Sequence, residues 1–139
     1  MAIVSFSCKK KEVTNQAAID EEKIKTYIKD NNLNATATGS GLYYIVTVQG
    51  TGAHPAAGST VTVAYKGYLL NGDVFDQSSG NGLTISLNSV IQGWKEGIPL
   101  FRKGGGKGKL IIPSALGYGA SAKSTIPANS VLVFDVTLP

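Results

Sequence analysis

The chain has 139 residues, 42% of them hydrophobic and 16% charged, enough for one globular domain with a modest extension and too few for two full-sized ones. A single Cys excludes a disulfide framework, and one Cys with one His excludes a zinc site built from those two residue types. No apolar run approaches the roughly 20 residues of a membrane-spanning helix, and a formal net charge of +4 does not by itself argue for nucleic acid.

Residues 1–30 are densely charged, with six Lys and five acidic residues, whereas residues 31–139 carry seven basic and four acidic ones and are rich in Gly. Ile24, Tyr27 and Ile28 stand at i, i+3 and i+4, which predicts one face of a helix. Asp20, Glu21 and Glu22 are expected in its first turn and Lys29 in its last, complementing the macrodipole at both ends, and Asn31-Asn32 follow. The stripe is narrow and suits a helix leaning on its own chain. A dimer contact through residues 17–33 is the alternative, with a monomer as the default. Ala35–Gly41 reads as a linker, which divides the chain into a tail, helix and linker over residues 1–40 and a body over residues 41–139.

From Leu42 the period changes to two. Leu42–Val48, Thr60–Tyr65, Leu83–Leu87, Lys109–Ile112 and Val131–Leu138 read as strands. Val61, Val63 and Tyr65 share one face, as do Leu132, Phe134 and Val136. Asn71-Gly72 and Gly104–Gly108 are hairpin punctuation. Only Ser89–Gly97 looks helical, with Val90, Trp94 and Gly97 spaced for a short helix. The expected fold class is α+β, an antiparallel sheet packed on one short α-helix.

Standard polar chemistries find no support. A phosphate loop needs Gly-Lys followed by Ser or Thr, but Gly106-Lys107 precedes Gly108 and Gly108-Lys109 precedes Leu110. His54 sits in a turn-rich stretch beside Pro55 and reads as a solvated turn residue rather than a general base. The acids of the body are scattered singly, which argues against a paired-carboxylate glycosidase. Its basic residues are not interleaved with aromatics as a nucleic-acid platform requires. No metal or cofactor is expected. What remains is an aromatic distribution: Tyr65, Phe75, Trp94, Tyr118 and Phe134 come from five separate segments. They are either core residues or the lining of an apolar pocket, and spacing alone leaves both readings open.

Five blocks then carry a resemblance: Val63-Ala-Tyr-Lys-Gly67, Gly72-Asp-Val-Phe-Asp-Gln-Ser78, Val90-Ile-Gln-Gly-Trp-Lys-Glu-Gly97, Gly117-Tyr-Gly119 and Ile126-Pro-Ala-Asn-Ser-Val-Leu-Val-Phe-Asp135. In order and spacing they resemble the FKBP prolyl isomerases (immunophilins) over about residues 41–139. The resemblance implies a twisted antiparallel sheet wrapped around a short helix, with peptidyl-prolyl cis/trans isomerisation of proline-containing polypeptides as the activity. It implies Trp94 as a pocket floor and Tyr65, Phe75, Val90, Ile91 and Phe134 as walls. Tyr118 OH and the Ile91 N–H would donate to ligand carbonyls, Asp76 would be the rim carboxylate interacting with Tyr65, and Ile126 would lie on an overhanging loop. Leu83 stands where many members carry Phe, and Leu116 where many carry Tyr, so the pocket is expected to be wider on that side and less suited to macrolide ligands. A non-catalytic peptide-binding or chaperone module using the same groove is the alternative. The shortness of Gly119–Ile126, which leaves no room for an inserted flap, counts against it.

Ser5-Phe-Ser-Cys8 followed by Lys9–Lys11 resembles the end of a bacterial lipoprotein signal, with Cys8 as the lipid-anchored residue. This implies a periplasmic or membrane-anchored protein tethered by its charged extension. The alternative is a free thiol on a tail and a cytoplasmic location. Asn34-Ala-Thr36 fits a glycosylation triplet of a kind common by chance.

Overall fold

The computed structural model describes residues 15–139; Cys8 and the Lys9–Lys11 run of the proposed anchor lie outside the described residues. The described residues open with helix α1 (Asn15–Asp30), followed by strands β1 (Thr36–Ala37), β2 (Tyr43–Val48), β3 (Thr60–Leu69), β4 (Val74–Gln77) and β5 (Leu83–Ser86). Helix α2 (Gln92–Gly97), β6 (Gly106–Ile112) and β7 (Leu132–Leu138) complete it, with short 3-10 turns at Ile98–Leu100 and Ser114–Leu116. The strands form one antiparallel sheet in the order β1-β2-β6-β7-β3-β4. The ten-residue β3 changes partners along its length: Thr60–Val63 pair with β5, and Lys66–Tyr68 pair with β4 and β7. This is the expected α+β architecture.

Alternation along the strands builds two cores. Val61, Val63, Leu110, Ile112, Leu132, Phe134, Val136 and Leu138 face inwards onto α2, with Trp94, Ile98 and Phe101. The residues between them point to the opposite face, where Ile111, Val133 and Val131 pack against Ile24 of α1. The stripe of Ile24, Tyr27 and Ile28 is therefore spent on the chain's own sheet. Helix α1 stops where Asn32 adopts φ 52° and Leu33 N–H donates to Ile28 O at 2.9 Å, a Schellman-type end.

Helix α2 lies flush on β6 because its contact face is glycine. A Cβ on Gly93 would fall 2.6 Å from Ile112 Cγ2, and one on Gly97 would fall 2.6 Å from Leu110 Cδ2. This close seat turns the intervening Trp94 into the interior, where it is only 4% exposed.

Several local expectations are corrected. The first turn of α1 holds no acid. Asp20 and Glu21 lie further along it; Glu21 accepts from Tyr43 OH at 2.8 Å, and Asp20 is buried. The Ala35–Gly41 linker contains β1, whose Thr36 and Ala37 pair with Tyr44 and Tyr43 in a tight hairpin. The Gly104–Gly108 run is split: Gly104 (φ 75°) and Gly105 (φ 102°) turn the chain, but Gly106 and Gly108 are inside β6. Gly108 is there for close approach, since a Cβ would meet Ile45 O. Helix α2 begins only at Gln92, because Ile91 is extended (φ −61°, ψ 155°). Strand β4 was not anticipated.

Candidate functional site

The inner face of the sheet, α2 and the loops above them enclose a hollow of about 700 Å³, within the roughly 300–1,000 Å³ of small-ligand sites. Each wall comes from a different element. Strand β3 supplies Tyr65, β4 supplies Phe75 and Asp76, and β5 supplies Leu83 and Ile85. Val90 and Ile91 come from the extended segment that leads into α2, Trp94 from α2 itself, Phe134 from β7, and Tyr118, Lys123 and Ile126 from the β6–β7 connection. The structure thus brings together ten of the eleven residues expected at the site. Leu116 is the exception: it sits on the Ser114–Leu116 turn and packs against the core behind the hollow.

The aromatic rings interlock edge to face. Trp94 meets Tyr65 at 5.1 Å and 89° and Phe134 at 5.3 Å and 82°; Phe75 meets Phe134 at 5.5 Å and 88°. These are the favoured quadrupole geometries, each contributing about 0.5–1.5 kcal/mol beyond burial. Gly67 permits them, because a Cβ there would fall 2.7 Å from both Phe134 Cε2 and Phe75 Cζ. Trp94 and Phe134 are each 4% exposed and form the bottom, whereas Tyr118 and Leu83 are exposed at the mouth. The Trp94 Nε1–H is buried without a hydrogen-bond partner among the described residues. Such a donor costs about 1–3 kcal/mol, borne at the base of the hollow.

Polar groups are few. Tyr65 OH donates to Asp76 Oδ2 at 2.8 Å, and the Tyr65 N–H donates to Ser78 Oγ at 2.9 Å. Burial, then the hydrogen bond to Asp76 and the carboxylate's charge, push the Tyr65 phenol up to about 12, so it is a protonated donor at neutral pH. The Ile91 C=O accepts from Trp94 and Lys95, but its N–H has no backbone or side-chain partner among the described residues. Above the hollow, Lys123 and Ile126 exchange backbone hydrogen bonds at 2.9 and 2.6 Å, with Ser124 at φ 47° between them. This closes a tight loop that seats Ile126, 7% exposed, against the core.

Sequence reasoning missed Ile85, Ser89, Lys123, Ser124 and Thr125 in the lining. Ile85 was legible as an alternating strand residue; the others are polar residues of irregular segments with no periodicity to betray them. His54 lies elsewhere, its Nδ1 3.0 Å from Pro99 O and 3.1 Å from Phe101 O, where it pins a loop to the turn after α2.

Residues 51–139 match the family model described as FKBP-type peptidyl-prolyl cis-trans isomerase. The chain is 42% identical over 141 residues to the FKBP-type peptidyl-prolyl cis-trans isomerase FkpA of Buchnera aphidicola (subsp. Schizaphis graminum), a match spanning 92% of this chain and 56% of that protein. The crystal structure of FkpA from Escherichia coli superposes with a TM-score of 0.77 at 38% identity, covering 99% of this chain and 65% of that one. A crystal structure of a peptidyl-prolyl cis-trans isomerase from Pseudomonas syringae pv. tomato gives a TM-score of 0.74 at 30% identity, covering 87% and 92%. The chain spans about half the length of the FkpA relatives it matches. Fold, interlocked rings and sequence agree that this chain belongs to the FKBP-type peptidyl-prolyl cis-trans isomerase family.

Proposed function

We propose that the hollow accelerates cis/trans rotation of X-Pro bonds in extended or partly folded polypeptides. The observation that carries this reading is the edge-to-face cluster of Tyr65, Trp94, Phe134 and Phe75 in a hollow whose only acidic residue among the described residues is already engaged by Tyr65.

The mechanism follows from the amide. Resonance makes the X-Pro bond planar and sets a rotational barrier of about 18–20 kcal/mol. It also places partial negative charge on the carbonyl oxygen, which water stabilises. In the twisted transition state resonance is lost and the C–O dipole shrinks, so a dry aromatic surface favours the twisted form over the planar one. The proline ring sits in the hollow against Trp94, with Phe75, Tyr65 and Phe134 excluding water. Tyr118 OH at the mouth and the free Ile91 N–H hold the flanking carbonyls, and Ile126 overhangs the ring. Neither nucleophile nor proton shuttle is needed. A barrier lowered by about 5–7 kcal/mol gives roughly 10⁴–10⁵-fold acceleration.

The test is an isomerisation assay on an X-Pro peptide. Saturable acceleration is expected, and saturable binding with no acceleration over buffer would instead assign a non-catalytic peptide-binding module. We propose in addition that macrolides bind weakly, because Leu83, 47% exposed at the mouth, offers an aliphatic rather than aromatic wall. The Ser5–Cys8 pattern supports a lipid anchor at Cys8 and an envelope location. Labelled fatty acid incorporated by the protein expressed from its own gene, and lost in Cys8→Ser, is the expected result.

A further inference from the structure

We propose that Asp20, on the N-terminal helix, is a positioning residue for Tyr118 and acts through Ser114. The inference rests on the isomerase reading for its consequence, though not for its geometry. Asp20 is 1% exposed, the one charged residue among the buried ones described. A buried carboxylate persists only where donors satisfy it, and all of its donors here are neutral. Gln16 Nε2 donates to Oδ1 at 2.8 Å, and the N–H and Oγ–H of Ser114 both donate to Oδ2, at 2.9 and 2.5 Å. Two of these three bonds clamp one residue that lies 94 positions along the chain.

Ser114 is where the clamp meets the hollow. Its carbonyl accepts from the Gly117 N–H at 3.0 Å and from the Gly119 N–H at 2.8 Å. Those glycines flank Tyr118, and both adopt unusual conformations: Gly117 at φ −111°, ψ −118°, and Gly119 at φ 60°. Two glycines leave a segment with little intrinsic preference, so the place of the Tyr118 ring is set by what holds its neighbours. Asp20 fixes the Ser114 N–H and side chain, and the Ser114 carbonyl holds the N–H groups of the two residues that flank Tyr118. No residue of α1 lines the hollow, and these hydrogen bonds join the helix to the segment that carries Tyr118. Its apolar contacts, Ile24 against Ile111 and Val133, deliver the carboxylate to Ser114.

The test is a double-mutant cycle on kcat/KM for an X-Pro peptide, with Asp20→Asn, Tyr118→Phe and their combination, alongside amide hydrogen exchange. Asp20→Asn alone is expected to lower kcat/KM roughly three- to ten-fold, the scale of one displaced hydrogen bond. In the Tyr118→Phe background, where no hydroxyl remains to be placed, the same substitution should cost less than about 1.5-fold. Exchange at Gly117 and Gly119 should quicken about ten-fold while that of Leu110 and Ile112, deep in β6, stays put. Equal costs in both backgrounds, or unchanged exchange at the two glycines, would overturn the proposal. Should Asp20→Asn fail to fold, Ser114→Ala, which keeps the backbone N–H bond, carries the same cycle with a smaller first step. A wild-type chain without isomerase activity would remove the functional reading, and the exchange comparison would then decide the Asp20 relay by itself.

Discussion

The Tyr65 hydroxyl donates to Asp76 Oδ2 at 2.8 Å, bridging β3 and β4 at the mouth of the hollow. The bond both steadies the Tyr65 ring against Trp94 and occupies the only carboxylate of the lining among the described residues. Asp76→Asn keeps an acceptor of the same shape and removes the charge. Stability is therefore expected to change by less than about 0.5 kcal/mol, while kcat/KM falls several-fold. The Tyr65 phenol should move part of the way back towards 10, because the carboxylate's charge goes while burial, the largest cause, and a hydrogen-bond acceptor remain. Phenolate absorbance against pH reads the shift, and full activity in the variant would make Asp76 structural only.

Alkaline stability follows from two phenols. Tyr65 is raised from 10.0 to about 12, and Tyr68, half-buried and bonded to Asp135 at 3.0 Å, is raised as well. The folded chain keeps protons that the unfolded chain gives up near pH 10, so the associated stability is present below that pH and is lost as pH rises towards 12. The urea midpoint should drop across this window. Removing both hydroxyls, by Tyr65→Phe with Tyr68→Phe, should make the drop shallower, and an unchanged slope would count against the assignment.

Gly67 is the sharpest steric test of the hollow. A methyl group there would fall 2.7 Å from Phe134 Cε2 and 2.7 Å from Phe75 Cζ. Neither ring can yield freely, since each is locked edge to face with the other at 5.5 Å. Gly67→Ala should thus cost about 1–3 kcal/mol by overpacking and lower peptide affinity more than a surface substitution of equal size. Denaturant unfolding with a binding titration checks both.

What the amino-acid pattern disclosed, and what it hid, has a physical basis. The inward faces of β3 and β7 were legible because a half-buried strand must alternate, and Val61-Val63-Tyr65 and Leu132-Phe134-Val136 do. Convergence of five aromatic segments was not legible from spacing; only family blocks in register pointed to it, because nothing local relates Tyr65 to Trp94. Strand β4 escaped because Val74, Asp76 and Gln77 are exposed, leaving no buried face to pattern. Asp20 is hidden for a different reason: near a helix start an acid looks like a macrodipole partner, and a contact with Ser114 across 94 residues leaves no local trace. Gly106 and Gly108 resembled turn residues because close backbone approach and a turn demand the same residue.

Substrate charge should matter on one side of the hollow. Lys123 is the only basic residue in the lining among the described residues, and its Nζ lies 5.9 Å from the Tyr118 ring centroid. Salt bridges among the described residues pair Lys25 with Glu21 and Lys109 with Asp135, and leave Lys123 without a carboxylate. The carboxylate of the lining, Asp76, is taken by Tyr65. An acidic side chain next to the substrate proline therefore gains an exposed ion pair, and a basic one meets like charge. Exposed pairs contribute about 0.2–1 kcal/mol, so Glu-Pro peptides should exceed Lys-Pro peptides in kcat/KM by roughly two- to five-fold at low salt. The preference should shrink as salt screens it and reverse in Lys123→Glu. Equal rates for the two peptides at low ionic strength would place Lys123 outside the substrate's path and leave its role to the aromatic contact with Tyr118.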